Sequence, residues 1–369
     1  MGRVHVPVPV FFFDYAHSVR LDEFDFSLTE DRIARVPAER REAARLLVLD
    51  RGSGARTHTT IAEFAGFLKR DDLVVVNDVR VGRARIHLKR PTGSPLEGLV
   101  LKIFPGGEIR VLLDGKGKLR DGMHLEFERD PRVSVELVAR DAEAWRARIV
   151  GSDALVALER FGHVPIPPYI RRARRRAGEE ETAFAALDQE RYQTVFAEGG
   201  MAVAAPTAGL HLGDDALAAI EARGARLARV RLEVGHGTFA PIRSETIEEH
   251  HLEFEDFVVP EATAAAVDRA RRDGGRVIAV GTTVVRTLES VAMGEGRIRA
   301  GAGSTDLFIR PGFQFHVVDA LLTNFHLPQS SLLVLVAAFA GRERVLDLYG
   351  EAVREGYRFY SYGDATLFL

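Results

Sequence analysis

Five segments of the sequence place small, hydroxylated or ionisable residues directly after an apolar run that is typical of a buried strand. They are NDVR at 77–80, PTAGLH at 206–211, GHGTF at 235–239, GTT at 281–283 and NFH at 324–326. Ligands of α/β proteins bind beyond the carboxyl ends of the strands, where helix N-termini also point. We therefore expect the five segments to meet in one polar pocket.

The segment GTTVVRTLES at 281–290 gives the clearest of these signals. Gly281 permits a close turn, and Thr282 or Thr283 can cap the following helix while offering a hydroxyl group. A helix N-terminus favours anionic or hydroxyl-rich groups of a ligand. A capped helix without a ligand fits the same residues equally well. The glycines of GHGTF lack the spacing of the dinucleotide fingerprint and are weak evidence by themselves.

Two of the five segments end in a histidine. His211 lies between Leu210 and Leu212, and His326 precedes a leucine. Imidazole titrates near neutral pH, so His211 is a candidate general acid or base. Its apolar neighbours suit a buried structural histidine equally well, and the same two interpretations apply to His326.

Two further clusters carry reactive or charged side chains. HHLEFE at 250–255 offers metal-ligating types, but no third cluster has matching spacing, so a solvated helix end or edge is favoured. RRARRR at 171–176 suits phosphate contacts, although a mobile solvated loop is slightly favoured. No Walker loop, G-x-S-x-G elbow or glycine-rich methyltransferase loop is found. The residues alone therefore indicate an α/β enzyme with a polar pocket for a ribose-bearing or anionic substrate.

The composition is that of an ordinary globular protein, with 46% hydrophobic and 28% charged residues. The absence of cysteine excludes disulfides and thiolate chemistry and is compatible with a cytoplasmic location. No apolar run reaches membrane-spanning length. With a formal charge of −3, any contact with RNA must use a local positive patch. The sequence has 45 arginines and 5 lysines, a bias that a GC-rich genome explains better than phosphate binding does.

Hydrophobic periodicity predicts a mixed, largely parallel or barrel-like α/β domain, from residues 21–82 and 151–369, into which an all-β barrel of residues 83–150 is inserted. Residues 1–20 are expected to be a loose extension, or a misassigned start, rather than a signal peptide. Between 83 and 150 short alternating segments are separated by Gly, Pro and Asp, with no convincing helix. Elsewhere strands and helices alternate. Predicted elements include a helix over 60–69 capped by Thr60, a helix over 187–200, and a strand over 202–206.

Eight longer motifs follow one another along the chain, and the resemblance that they carry extends from FDFSL at 24–28 to YGDA at 362–365. They are RLLVLDR, DLVVVNDVRV, ERFGHVPIPPYIRR, ERYQTVFAEGGMAVAAPTAGLH, VGHGTF, GRVIAVGTTVVRTLES, PGFQFHVVDALLTNFHLP and YRFYSYGDA. With these motifs the sequence resembles the tRNA ribosyltransferase-isomerase family of queuosine biosynthesis. The resemblance implies an α/β domain with an inserted barrel, in agreement with the periodicity.

The resemblance also implies a reaction. S-adenosylmethionine would be a co-substrate that donates its ribosyl group to the 7-aminomethyl-7-deazaguanine wobble base of a tRNA, leaving epoxyqueuosine tRNA, adenine and methionine. No metal is expected, and a monomer is expected. The sulfonium acidifies the neighbouring ribose carbon, so a positioned base could remove a proton there, and an acid could assist the departure of adenine.

The motif positions suggest roles for individual residues. Candidate acid and base residues are His211 and Asp78. Candidate contacts to S-adenosylmethionine are Thr207, Gly235, Gly237, Thr238, Thr282, Thr283, Arg286, Asn324 and His326. Candidate contacts to tRNA are Arg80, Arg171, Arg172, Tyr192 and Gln193.

The sequence departs from the family pattern at two expected histidines, where it carries Glu233 and Glu253. Glu233 is a candidate replacement base. The departures motivate one alternative, a paralogue that uses S-adenosylmethionine with another nucleobase acceptor. A second alternative is a non-catalytic tRNA-binding module, which the polar strand ends disfavour because a platform that only grips RNA needs no deep pocket.

Overall fold

The fold was obtained as a computed structural model, which describes residues 19–114, 118–235, 242, 244–292 and 297–369. Gly237, Thr238 and nearly all of the predicted extension lie outside the described residues. The described strands are β1 Arg45–Leu49, β2 Arg56–Thr60, β3 Leu73–Asn77, β4 Val79–Val81, β5 Arg85–Lys89, β6 Pro95–Ile103, β7 Glu108–Asp114, β8 His124–Phe127, β9 Asp130–Asp141, β10 Ala144–Val150, β11 Gly199–Ala202, β12 Arg226–Leu232, β13 Glu255–Val259, β14 Val277–Val280, β15 Gly301–Thr305, β16 Ala320–Asn324 and β17 Ala365–Phe368. The described α-helices are α1 Ala154–Phe161, α2 Pro168–Arg176, α3 Ala185–Arg191, α4 Asp214–Ala222, α5 Glu261–Arg272, α6 Thr282–Ala292, α7 Ser331–Ala340 and α8 Arg342–Arg354.

A mixed sheet of the described strands runs in the order β15-β13-β12-β3-β14-β16-β17-β1-β2. Strands β12, β3, β14 and β16 are neighbours and run parallel, so their carboxyl ends share one edge. Strand β17 is antiparallel to β16, which brings the segment before β17 to that same edge. Four of the eight neighbouring pairs are parallel. The candidate site lies at this edge.

Both faces of this sheet are covered, which explains the continuous apolar runs of its central strands. All five residues of β3 are buried. Leu73 and Val75 pack with α5 to α8 on one face, whereas Val74 and Val76 pack with α4 and the 3₁₀ helix Ile61–Phe67 on the other. No helix among the described residues has the length and apolar character needed to cross a membrane.

The strands from β5 to β10 form a closed barrel between β4 and α1, in the order β10-β7-β6-β5-β8-β9. Closure leaves this small sheet without an exposed edge, and its interior is filled by side chains such as Ile86, Val111 and Trp145. These features confirm the predicted α/β fold with an inserted all-β barrel. The division at residues 83 and 150 stays a prediction, although the barrel strands lie within it.

The two connections of the barrel cross each other closely. Arg85 and His163 exchange backbone hydrogen bonds of 3.1 and 2.7 Å. A Cβ atom on Gly162 would lie 2.0 Å from the carbonyl oxygen of Arg83, so only glycine permits this crossing.

Three local predictions were wrong. The predicted helix over 60–69 is a 3₁₀ helix, Ile61–Phe67, and the side chain of Thr60 makes no capping hydrogen bond. The predicted helix over 187–200 ends at Arg191, because the chain there turns to lay β11 against β4, and Gly200 adopts a φ of +72°. The predicted strand over 202–206 is displaced accordingly, since β11 ends at Ala202.

The arginine-rich segment is a helix rather than the favoured mobile loop. Helix α2 begins with Pro168, whose fixed φ suits the first helical turn. Arg174 is 1% exposed and forms two hydrogen bonds, of 2.6 and 2.8 Å, with the Asp188 carboxylate. This buried ion pair holds α2 against α3, so part of the arginine run is structural.

Candidate active site

Asn77 connects two strand ends and the start of a helix at the centre of the shared edge. Its Nδ2 donates to the Leu232 carbonyl oxygen at 3.0 Å and to the Thr283 hydroxyl at 3.3 Å. Its Oδ1 accepts from the backbone N–H groups of Leu232 and Val79, both at 3.1 Å. The ends of β3 and β12 and the start of α6 are therefore held together by one buried amide.

Asn324, the last residue of β16, joins the segment that follows β11. The segment Thr207–His211 is a short 3₁₀ helix. The Thr207 hydroxyl donates to Asn324 Oδ1 at 2.8 Å, and Asn324 Nδ2 lies 2.9 Å from His211 Nε2. The same Nδ2 donates to the Tyr360 carbonyl oxygen at 3.1 Å, which adds the segment before β17 to the cluster.

Gly281 completes the arrangement at the end of β14. It adopts a φ of +95°, and a Cβ atom there would lie 3.6 Å from the Cβ of Ala208. Thr282 and Thr283 are both buried in the first turn of α6, where unpaired backbone N–H groups suit an anionic or hydroxyl-bearing ligand. Described parts of four predicted segments, those that contain Asn77, Thr207–His211, Gly281–Thr283 and Asn324, thus converge on one region. Residues 236–239 of the fifth segment lie outside the described residues.

His211 is a neutral imidazole at physiological pH. It is 4% exposed, and burial, with smaller contributions from the charges of Arg358 and Arg41, lowers its pKa to about 3. A group with this pKa is a poor general base at neutral pH because its protonated form is disfavoured. His211 nevertheless lines a small cleft, together with Arg41 and the segment before β17.

His326 lies behind Asn324, in the packed interior. Its Nε2 is 3.0 Å from the Thr323 hydroxyl, and its backbone N–H donates to the Tyr349 hydroxyl at 3.3 Å. Burial lowers the pKa of His326 to about 3. These contacts favour the structural interpretation of this histidine over a direct contact with a ligand.

Asp78 is held in an ion pair. Its carboxylate accepts two hydrogen bonds of 2.9 Å from the Arg231 guanidinium, and it is 5% exposed. A Cβ atom on Gly199 would lie 2.8 Å from Arg231 Cζ, so the glycine lets the backbone of β11 cover the pair. This geometry favours a structural role for Asp78, because a base would have to leave Arg231 to accept a proton.

Glu233 lies next to this pair. Its Oε1 would be 3.0 Å from a Cβ atom on Gly200, and the residue is partly exposed. Glu253, the other departure from the family pattern, is exposed. Of the two glutamates, only Glu233 is placed beside candidate site residues.

A buried ion pair that the sequence analysis missed supports the end of β12. Both side chains, Glu255 and Arg286, are 3% exposed, and Glu255 Oε2 pairs with the Arg286 guanidinium. Glu255 Oε1 accepts from the backbone N–H of Gly235 at 2.7 Å, and Arg286 Nε donates to the Leu307 carbonyl oxygen at 2.9 Å. Arg286 therefore holds the scaffold of the site, instead of pointing free toward a substrate. The LEFE segment, with its acidic residue at the start of a strand, was the available signal.

The three arginines predicted to contact tRNA have different surroundings. Arg171 forms hydrogen bonds of 2.6 and 2.8 Å with Glu97 of the barrel and a further one with Glu181. Arg171 thus links α2 to the barrel. Arg172 is exposed, and Arg80 is exposed with one long hydrogen bond of 3.4 Å to the Ala197 carbonyl oxygen. Of these three arginines, Arg80 and Arg172 are the exposed ones and remain candidates for contact with tRNA.

Of the other two residues predicted to contact tRNA, Tyr192 is buried and Gln193 is partly exposed. Tyr192 is 1% exposed and packs edge-on against Tyr362, with ring centroids 5.8 Å apart. Gln193 Oε1 accepts from the backbone N–H of Val81 at 3.2 Å. A packing role for Tyr192 and a backbone-bracing role for Gln193 explain these positions better than contact with RNA does.

The metal interpretation of HHLEFE gains no support from the described residues. They contain no group of three or more His, Asp or Glu side chains arranged to hold a metal ion. The ring of His250 instead packs edge-on against Phe308, with centroids 5.2 Å apart.

Comparison with known proteins agrees with the geometry. The family model described as queuosine biosynthesis protein matches residues 21–368. The chain belongs to this queuosine biosynthesis family. Among curated relatives, the S-adenosylmethionine:tRNA ribosyltransferase-isomerase of Trichlorobacter lovleyi is 45% identical over 349 residues, which are 94% of this chain and 99% of the relative. The protein of the same name from Aquifex aeolicus is 42% identical over 351 residues, or 95% and 100% of the two chains.

A solved structure from this family has a similar fold. The crystal structure of S-adenosylmethionine tRNA ribosyltransferase from Thermotoga maritima is 31% identical in sequence and has a TM-score of 0.52. The similarity covers 94% of this chain and 100% of that one. Membership of the queuosine biosynthesis family therefore extends over both the sheet and the barrel.

Proposed function

We propose that this protein is an S-adenosylmethionine:tRNA ribosyltransferase-isomerase. It transfers the ribosyl group of S-adenosylmethionine to the 7-aminomethyl-7-deazaguanine wobble base of tRNA and isomerises it. Epoxyqueuosine tRNA, adenine and methionine are the products. The proposal includes a monomeric enzyme that works in the cytoplasm without a metal ion.

The observation that carries the proposal is the convergence of separate strand ends at one edge of the sheet. Asn77 binds Thr283, and Asn324 joins Thr207 to His211, at distances between 2.8 and 3.3 Å. Family membership supports ribosyl transfer as the reaction at this polar edge, because curated relatives of similar length are named S-adenosylmethionine:tRNA ribosyltransferase-isomerase. Holding two substrates in attack geometry there would contribute roughly 7–11 kcal/mol at most to the lowering of the barrier.

Roles follow from position. The hydroxyls and backbone groups of Thr207, Gly235, Thr282 and Thr283 would hold the ribose and methionine parts of the co-substrate. The family resemblance adds Gly237 and Thr238, which lie outside the described residues, to this set. Arg80 and Arg172 would meet tRNA phosphates. Asp78, Arg286 and His326 support these residues from beneath through the contacts described above.

The direct test is a product assay. The purified protein is incubated with S-adenosylmethionine and tRNA carrying the aminomethyl-deazaguanine base, and the products are separated by chromatography. Adenine and methionine should appear in equal amounts, at a rate that depends on the modified tRNA. Release of S-adenosylhomocysteine would indicate methyl transfer instead, and tRNA binding without consumption of the co-substrate would indicate a binding module.

One observation favours the alternative function, in which the ribosyl group is transferred to a different nucleobase acceptor. Glu233 replaces a histidine of the family pattern and lies next to the Asp78–Arg231 pair. A changed charge there alters the recognition of a base. Adenine release with another nucleobase or nucleoside, but none with the aminomethyl-deazaguanine tRNA, would support this alternative. An E233Q variant with full turnover would remove Glu233 from the list of candidate bases.

A further inference from the structure

The side-chain amide of Asn324 has only one orientation that satisfies its neighbours. The Tyr360 carbonyl oxygen can only accept a hydrogen bond, and it lies 3.1 Å from Asn324 Nδ2. The Thr207 hydroxyl donates to the opposite atom, Asn324 Oδ1, at 2.8 Å. The amide nitrogen must therefore be the atom that faces both Tyr360 and His211.

The carbonyl group that fixes this orientation is itself held firmly. Tyr360 has a φ of +72°, which is an uncommon and costly conformation for a bulky residue. Its N–H donates to the Phe325 carbonyl oxygen at 3.1 Å, and its ring packs against Tyr169 with centroids 4.1 Å apart. Its carbonyl oxygen also accepts from the Gly363 N–H at 2.8 Å. Backbone strain at this position thus directs a carbonyl group toward the site.

The orientation of Asn324 determines where His211 carries its proton. Because Asn324 Nδ2 is a donor, His211 Nε2 must be the acceptor in their 2.9 Å contact. In a neutral ring the proton then resides on Nδ1. The positive side chains of Arg41 and Arg358 act against a second proton on the ring. Among the described residues Nδ1 makes no hydrogen bond, and His211 lines the cleft.

We propose that Asn324 is a positioning residue that holds His211 as the Nδ1–H tautomer, and that His211 donates this hydrogen bond, as a neutral imidazole, to an acceptor atom of the bound nucleoside. This inference rests on the proposed function for the identity of the ligand. It assigns His211 an electrostatic role in place of proton transfer, because a neutral donor aimed at a developing charge stabilises it without itself changing protonation state.

The tautomer can be measured directly, without turnover. Nitrogen-15 NMR of the full-length protein distinguishes the two nitrogens of each histidine ring, and an H211N variant assigns the signal of His211. We expect protonated Nδ1 and unprotonated Nε2 at neutral pH. In an N324D variant the carboxylate can only accept, so the proton should move to Nε2 and the pKa of His211 should rise.

The signals of His58, which contacts Tyr357 and Glu351 on another part of the sheet, serve as the internal control and should not move. If the carboxylate prevents N324D from folding, the measurement on the unaltered protein still decides the question. A proton on Nε2 in the unaltered protein would overturn the inference.

Two isosteres of histidine test the role in turnover. Asparagine at 211 can place its amide N–H where Nδ1 lies, whereas glutamine reaches only the position of Nε2. We expect kcat/KM of H211Q to fall by about 10²-fold, as for loss of one catalytic donor, and that of H211N to remain within about tenfold of the unaltered enzyme. Equal losses of kcat/KM in both variants, together with a limb in the pH profile of the unaltered enzyme that both variants lack, would show that His211 transfers protons.

The two levels of the proposal fail in different ways. If the unaltered protein releases no adenine, the proposed function fails while the tautomer assignment stands. If adenine is released but H211N and H211Q are equally impaired, only the donor role of His211 fails.

Discussion

Removing the carboxylate of Glu255 should strongly destabilise the sheet domain. Glu255→Ala leaves the Arg286 guanidinium 3% exposed without its ionic partner and removes the acceptor of the Gly235 N–H. Loss of one member of a buried pair costs about 3–5 kcal/mol because an uncompensated charge stays inside. At roughly 2 °C per kcal/mol for a large domain, the melting temperature should fall by about 6–10 °C.

Two companion variants separate charge from volume. Glu255→Gln keeps an acceptor for Gly235 but loses the charge, so a smaller cost of about 1.5–3 kcal/mol is expected. The double variant E255L/R286M removes both charges and should recover most of the stability lost in E255A, since well-packed apolar groups can replace a buried ion pair. Because both residues lie beneath the site, the double variant also shows whether Arg286 is needed by the substrate.

The assay is urea unfolding followed by circular dichroism, with thermal melting in parallel. The matched control is Asp215→Ala, which breaks an ion pair to Arg40 whose side chains are 73% and 81% exposed and should cost no more than about 1 kcal/mol. An E255A protein as stable as the D215A control would refute the reasoning. An E255L/R286M protein with full stability but no turnover would instead show that the pair acts in turnover, either by holding Gly235 in place or through a contact of Arg286 with the substrate.

Three further outcomes are expected. Arg172→Ala should weaken tRNA binding and lower the slope of log Kd against log salt by about one, with the free energy of unfolding unchanged; a filter-binding salt series checks this. Burial lowers the pKa of His326 to about 3, so below about pH 6.5 the unfolded chain binds more protons than the folded protein. The urea concentration at the unfolding midpoint should therefore decrease as the pH is lowered from 7 to 4, and it should decrease less in H326Q. Gly162→Ala should destabilise by at least about 1–3 kcal/mol, since its Cβ would meet the Arg83 carbonyl oxygen at 2.0 Å, whereas Gly66→Ala meets nothing within 4 Å and should be nearly neutral in the same unfolding assay.

The sequence was sufficient to predict the architecture and the convergence of several polar strand ends. Apolar runs of four or five residues predicted central strands such as β3, and alternating segments predicted the barrel, because both patterns reflect which faces are buried. The rule that ligands bind beyond the carboxyl ends of strands predicted that Thr207, Asn324 and Thr283 belong to one region. These inferences depend on local sequence and on general topology.

The roles of single charged residues could not be predicted in this way. The sequence does not distinguish a buried arginine in an ion pair from an exposed arginine that contacts a substrate, because the partner of each lies far away in the chain. Arg174 pairs with Asp188, and Asp78 pairs with Arg231, only after the helices and strands have packed. Tyr360 was missed for a related reason, because its backbone carbonyl group, and not its side chain, faces the site.

The strand order has a consequence for how the molecule is made. Strand β1 leaves the ribosome early, yet its parallel neighbour is β17, with Leu46 opposite Ala365. Likewise β3 must wait for β12 and β14, whereas the barrel needs only the stretch between β5 and β10. Loop closure over such separations is slow, so we expect the barrel to become protease-resistant first during synthesis, while β3 lacks its neighbours until β12 and β14 are made and the edge of β1 that pairs with β17 stays open until translation is almost complete.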